Sequence, residues 1–120
     1  MSASTPEVKA KRKIQSLLKF FEGAGLKMKL TWNAGAAYGS ATVDCTGVIA
    51  GVAVAIEVKR FDGRGKLTAR QAMDLKDFRD AGAVAMLIDS DEALAHLGAF
   101  LDSRLAVSSV PVYRDWSRLP

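Results

Sequence analysis

Two apolar runs, 41–49 and 52–59, meet at Ala50-Gly51, and that junction constrains the fold more than any other feature of the chain. Take Ala50 and Gly51 as the loop of a two-residue hairpin. Val43 then faces Val58, Cys45 faces Ile56, Gly47 faces Val54 and Ile49 faces Val52. This face is apolar or small throughout, so the register is self-consistent. The same register sets Asp44 opposite Glu57 and Thr42 opposite Lys59. Glu57 and Lys59 are two residues apart, so a strand points both to one face and sends Ile56 and Val58 to the other. Directly opposed residues have Cβ atoms about 4.5–5.5 Å apart, and two carboxylates there repel unless a cation neutralises them. Ala-Gly is not the strongest hairpin pair, and a longer loop shifts the register. The bland alternative for these three charged residues is an edge-strand ion pair in water.

The remaining elements arrange themselves around that hairpin. Thr5-Pro6-Glu7 starts a helix with a Thr cap, Pro at the first position and an acid in the first turn. It runs to about Glu22, with Ile14, Leu17, Leu18 and Phe21 as its apolar stripe, and ends at Gly23 and Gly25. Residues 26–32 alternate as a strand, and 33–40 form a small-residue loop. A basic, glycine-rich loop spans 60–66. Thr68 caps a helix at 69–81, 83–89 form an apolar strand, and Ser90 caps a last helix at 91–105. Strand 52–59, helix 69–81 and strand 83–89 make a βαβ unit, hence a parallel pair with a right-handed crossover. The expected fold is a single α/β domain over 1–120, with its core in about 6–105. It is a three-layer α/β/α sandwich around a mixed sheet. The tail, 106–120, is expected to add an edge strand or to contact a partner subunit.

Composition narrows the chemistry. A single cysteine, Cys45, excludes an internal disulfide or a cysteine zinc site, and one histidine, His96, excludes a histidine metal cluster. A metal here is therefore a hard cation on oxygen ligands, Mg²⁺ or Mn²⁺. The polar N-terminus carries no secretory pattern and no apolar run is long enough to span a bilayer. The expectation is a cytoplasmic protein with no membrane partner and no small-molecule cofactor. The net charge of +4 is uneven: residues 1–30 carry +5, residues 31–71 carry +2 and residues 72–120 carry −3. Basic charge and the Asp44/Glu57/Lys59 set share one part of the chain, which fits a DNA partner. A solvated basic helix is the alternative.

Asp44 and Glu57 are the candidate metal ligands, with the Val58 backbone carbonyl between them to complete the shell. Such a metal polarises a phosphate oxygen and lowers the pKa of water. Lys59 is the candidate to orient or deprotonate that water, or to stabilise the pentavalent charge. Gln71 has two readings. It is the reciprocal residue of a Thr68-x-x-Gln71 capping box, and it begins an expected buried stripe, Gln71, Leu75 and Phe78, which would point it towards the site. Glu7 is a first-turn acid favoured by the helix dipole, or a further metal ligand. Lys9, Arg12 and Lys13 on the first helix, and Arg60, Arg64, Lys66 and Arg70 around the loop, are candidate DNA-phosphate contacts, or else solvated side chains. Cys45 should face the core and be inert. Trp32 and Tyr38 are expected to pack rather than stack on bases.

At these residues the chain resembles the restriction-endonuclease-like superfamily, whose motif is written PD-(D/E)-x-K. More closely, it resembles a stand-alone VRR-NUC (virus-type replication-repair nuclease) domain of the phage kind, a Holliday junction resolvase type. The likeness covers about residues 6–95. It includes the helix with Glu7, Val43-Asp44, Ile56-Glu57-Val58-Lys59, the glycine-rich loop, Leu67-Thr68-x-x-Gln71, and Gly82 before the apolar strand ending in Asp89-Ser90. Val43 stands where the motif has proline, which has no chemical role. The resemblance implies metal ligation by Asp44 and Glu57, catalysis by Lys59, and support from Gln71 and Glu7. It also implies a homodimer acting on branched DNA, including four-way junctions. The leading expectation is a Mg²⁺-dependent structure-selective endodeoxyribonuclease. A non-catalytic DNA-binding module of the same fold and a restriction-type nuclease subunit are the alternatives.

Overall fold

The computed structural model of the protein describes residues 5–33 and 43–107. The elements are α1 (Pro6–Gly23), β1 (Met28–Trp32), β2 (Cys45–Ile49), β3 (Val52–Val58), α2 (Ala69–Asp80), β4 (Val84–Ile88) and α3 (Asp91–Ala106). Thr5, Thr68 and Ser90 cap the three helices through their side chains, as their sequence positions predict. The sheet order is β1-β2-β3-β4. The first two pairs are antiparallel and β3–β4 is parallel, so this is an α/β protein with a mixed four-strand sheet flanked by three helices.

The hairpin pairs as the pattern predicts: Cys45 with Ile56, Gly47 with Val54 and Ile49 with Val52. Ala50 and Gly51 both take positive φ, +47° and +85°, the signature of a type I′ turn. Alanine is strained there, and two bonds hold it: its N–H donates to the Lys27 carbonyl, and Arg104 Nη2 donates to its own carbonyl, each at 2.8 Å.

One sheet face packs against α1 and α3. Ala10, Ile14, Leu18 and Phe21 of α1 meet Cys45, Ile49, Val54, Ile56, Val58 and Ile88, with Leu97 and Leu101 of α3. Cys45 is fully buried and faces the core as expected, and burial, then the Asp44 charge, pushes its thiol up to about 12. α2 contributes nothing to this cluster. It packs along β3 and β4, and its Gln71 meets Glu57 on the opposite face. The expected buried stripe of α2 is a correction: none of its residues is buried, and Phe78 is exposed. The physical reason is that α2 packs chiefly against β3 and β4, whereas α1 and α3 pack on each other as well as on the sheet. Its side chains meet one sheet face, and among the described residues its main contacts are with β3 and β4 alone.

Gly47 marks the tightest approach in the sheet. A Cβ there would run into the Lys29 carbonyl oxygen and come 2.9 Å from Leu30 Cα. Gly47→Ala is therefore expected to cost roughly 1–3 kcal/mol in urea unfolding, the range for overpacking. Unchanged stability would mean that β1 can shift away freely.

No helix among the described residues is long and apolar enough to cross a membrane. The tail beyond Val107, with its expected edge strand, and the loop with Tyr38 and Thr42 lie outside the described residues.

Candidate active site

The strand expected at 41–49 begins at Cys45, and that difference builds the site. Asp44 stands just before β2 instead of pairing within it. Its Oδ2 accepts the Val58 N–H at 2.8 Å, so the carboxylate takes an amide that the expected Val43–Val58 pairing would have used in the ladder. Asn33 secures the bend from the end of β1: its Nδ2 donates to the Val43 carbonyl and its N–H to the Asp44 carbonyl, both at 2.8 Å. Sequence reasoning missed Asn33. Its only signal is an amide at the first position after an alternating strand.

Glu57 is the one buried charged residue among the described residues, 2 % exposed. Its Oε1 accepts the Asp44 N–H at 3.1 Å, and its Oε2 accepts from Gln71 Nε2 at 3.0 Å. The two acids are thus interlocked, each held by a backbone N–H beside the other. Gln71 closes the capping box and also reaches Glu57. Its Oε1 takes the Thr68 N–H and its N–H donates to Thr68 Oγ1, while its Nε2 holds Glu57. A capping box normally fixes only a helix end; here it also orients a buried carboxylate.

Lys59 lies one residue past β3, and its N–H extends the ladder to the Ile88 carbonyl. Its Nζ is 3.4 Å from Glu57 Oε2 and its side chain is 13 % exposed. Loop 60–66 folds back over its stem: a Cβ on Gly65 would lie 3.0 Å from Lys59 Cβ and 3.2 Å from Arg60 Cγ. A second cation comes from α1. Lys11 Nζ is 3.2 Å from Asp44 Oδ1. Sequence reasoning did not single out Lys11. Its position beside Ala10 and three before Ile14, at the edge of the buried stripe, is the available signal.

Burial, then the Asp44 charge, raises the Glu57 carboxyl to about 7, with Lys59 pulling the other way. Such a displacement in a polar cluster is a mark of functional sites, although structural ion networks produce it too. The donor set fits a hard divalent cation: it is all oxygen, and two carboxylates lie in contact range. An extended residue presents its N–H and C=O to the same neighbouring strand. Val58 gives its N–H to Asp44, so its carbonyl is on the Asp44 side as well. Among the described residues no group of three or more His, Cys, Asp or Glu side chains comes together to hold a metal, so Glu7 is not gathered with Asp44 and Glu57. It sits half-buried in the first turn of α1, one turn before Lys11.

The expected DNA-contact residues divide. Lys9, Arg12, Lys13, Arg64, Lys66 and Arg70 are exposed. Lys13 lies 5.4 Å above the Phe61 ring and 3.5 Å from Asp91. Arg60 is engaged within its own loop, since Nε and Nη2 grip Asp62 and leave less of the guanidinium for a phosphate. A cavity of about 310 Å³ lined by Pro6, Lys9, Ala10, Lys13, Phe61 and Asp62 joins α1 to the loop, so the two basic segments are neighbours. His96 is exposed and Trp32 packs half-buried against the core.

No family model matches the chain, and no curated protein and no solved structure matches it either.

Proposed function

We propose that the protein is a metal-dependent endodeoxyribonuclease that hydrolyses phosphodiester bonds in branched DNA such as four-way junctions, and that it works as a homodimer. The observation that carries this reading is the interlocked Asp44–Glu57 pair with the Lys59 ammonium 3.4 Å from Glu57. In this reading the fold is a restriction-endonuclease-like three-layer α/β/α sandwich. The mixed sheet, with α1 and α3 on one face and α2 meeting Glu57 on the other, supports it.

Asp44, Glu57 and the Val58 carbonyl would hold Mg²⁺ or Mn²⁺. When bound, such a cation polarises a phosphate oxygen and makes water more acidic. Lys59 then has two tasks open to it at the end of β3. It orients the attacking water, and it balances negative charge developing on the phosphorus oxygens. Gln71 keeps Glu57 turned towards Asp44. Lys9, Lys13, Arg64, Lys66 and Arg70 supply cationic surface for the backbone. Two copies related by a two-fold axis would suit a symmetric junction.

One observation favours a second reading. All four carboxylate oxygens already have partners within the chain: Lys11, the Val58 N–H, the Asp44 N–H, and Gln71 with Lys59. A DNA-binding module that has lost catalysis would look like this too. Purified protein with labelled four-way junction, flap and linear duplex, in Mg²⁺ or in EDTA, separates the two. Cleavage of a branched substrate that stops in EDTA is the expected result. Binding without metal-dependent cleavage of any substrate would leave only the module.

A further inference from the structure

We infer that Lys11 is a tethered stand-in for the divalent cation, neutralising Asp44 until the metal displaces it. The inference rests on the metal-dependent reading above and deepens it. Two interlocked carboxylates with Glu57 2 % exposed would be poorly tolerated in a folded chain without positive charge. Lys59 serves Glu57 at 3.4 Å, and Lys11 serves Asp44 at 3.2 Å. The two acids can therefore fold together before any metal arrives.

The geometry separates what is fixed from what can leave. Neutral donors orient both carboxylates: the Val58 N–H at 2.8 Å, the Asp44 N–H at 3.1 Å and Gln71 Nε2 at 3.0 Å. None of these bonds involves Lys11, so Asp44 keeps its direction when the ammonium departs. Lys11 is also the more exposed of the two cations, 29 % against 13 % for Lys59. It reaches Asp44 on a long stem from α1 rather than from the strand that carries Glu57. A lysine ammonium is a compact point charge on a flexible chain, suited to exchange with an ion. The oxygen it covers, Oδ1, is the one that the Val58 N–H leaves open.

Exchange makes a prediction opposite to that of a simple structural ion pair. Removing Lys11 should tighten metal binding, because the incoming ion no longer has a competitor. Mn²⁺ binding to the full chain is measured by calorimetry for wild type, Lys11→Met, Lys11→Arg and Asp44→Asn. Lys11→Met is expected to bind Mn²⁺ about tenfold tighter, a factor in keeping with removal of one adjacent unit charge at a partly exposed site. Lys11→Arg keeps the charge and should stay close to wild type. Asp44→Asn should lose binding. In thermal melts, Mn²⁺ should raise the midpoint of Lys11→Met by more than that of wild type. Equal or weaker Mn²⁺ binding by Lys11→Met, with wild type binding and Asp44→Asn not, overturns the stand-in role and leaves the proposed function intact. Wild type and Asp44→Asn binding Mn²⁺ equally well overturns both.

Discussion

Asp44→Asn and Lys59→Met are each expected to slow metal-dependent cleavage of a branched DNA by at least about 100-fold, the lower end of what one positioned electrostatic group contributes. The substitutions are chosen to keep the frame. An asparagine in place of Asp44 retains an oxygen for the Val58 N–H, so the bend before β2 survives, but it loses the charge that a cation needs. A methionine in place of Lys59 retains the stem that lies under Gly65 and removes only the ammonium. Glu57 remains oriented by Gln71 and by the backbone N–H of position 44 in both variants. DNA binding should therefore persist within a few-fold, since the exposed basic residues of α1 and loop 60–66 are untouched. The measurements are single-turnover cleavage and, separately, gel-shift affinity for the same junction. Near wild-type cleavage by either variant would remove that residue from the chemistry. A parallel loss of binding and cleavage would point to a collapsed site instead.

Stability is expected to fall as pH rises from about 4.5 to about 7, with Glu57 as the cause. Its folded pKa is raised to about 7, chiefly by burial and next by Asp44. Below about 4.5 the carboxyl is protonated in both folded and unfolded chains, and it carries no penalty. Between the two values the folded protein holds a proton that the unfolded chain releases. Above about 7 the buried carboxylate is ionised and the loss is complete, on the order of 3 kcal/mol. Asp62 has the opposite sign. Arg60 holds its carboxyl below the usual range, so its contribution is present above about pH 4 and disappears in more acidic solution, outside the Glu57 window. Urea unfolding at constant ionic strength in EDTA, from pH 4.5 to 8, gives the profile. Asp44→Asn should flatten part of it by removing the like charge. Mg²⁺ should restore stability above pH 7, because metal binding favours the ionised carboxylates. A profile that is level or rising across the window would contradict a buried, destabilised Glu57.

Much of this site is legible in local pattern. Glu57 and Lys59 are held to one strand face by a spacing of two, and Thr68-x-x-Gln71 marks a helix start by spacing alone. How the groups close on one another is not legible there. Pattern alone places Asp44 beside Glu57 as a cross-strand pair. In the fold it reaches Glu57 from outside the strand, because a carboxylate before β2 can capture the Val58 N–H that the ladder would use. Arg60 reads as a phosphate contact, but Asp62 two residues on is a nearer anion.

By itself, the sequence determined the hairpin register from Cys45 to Ile56, the three helix caps, the parallel pairing of β3 with β4 and the burial of Cys45. These follow from periods of two and of 3.6 residues and from turn and cap chemistry, all set within a few residues of chain. Only the tertiary structure decided that Lys11 of α1 joins Asp44, that Asn33 pins the bend, and that α2 keeps its apolar side chains half in solvent. Those outcomes depend on how a helix docks across a sheet and on which distant donor reaches a carboxylate first. Neither leaves a periodic trace, because the contact is fixed by shape and burial between segments far apart in the chain.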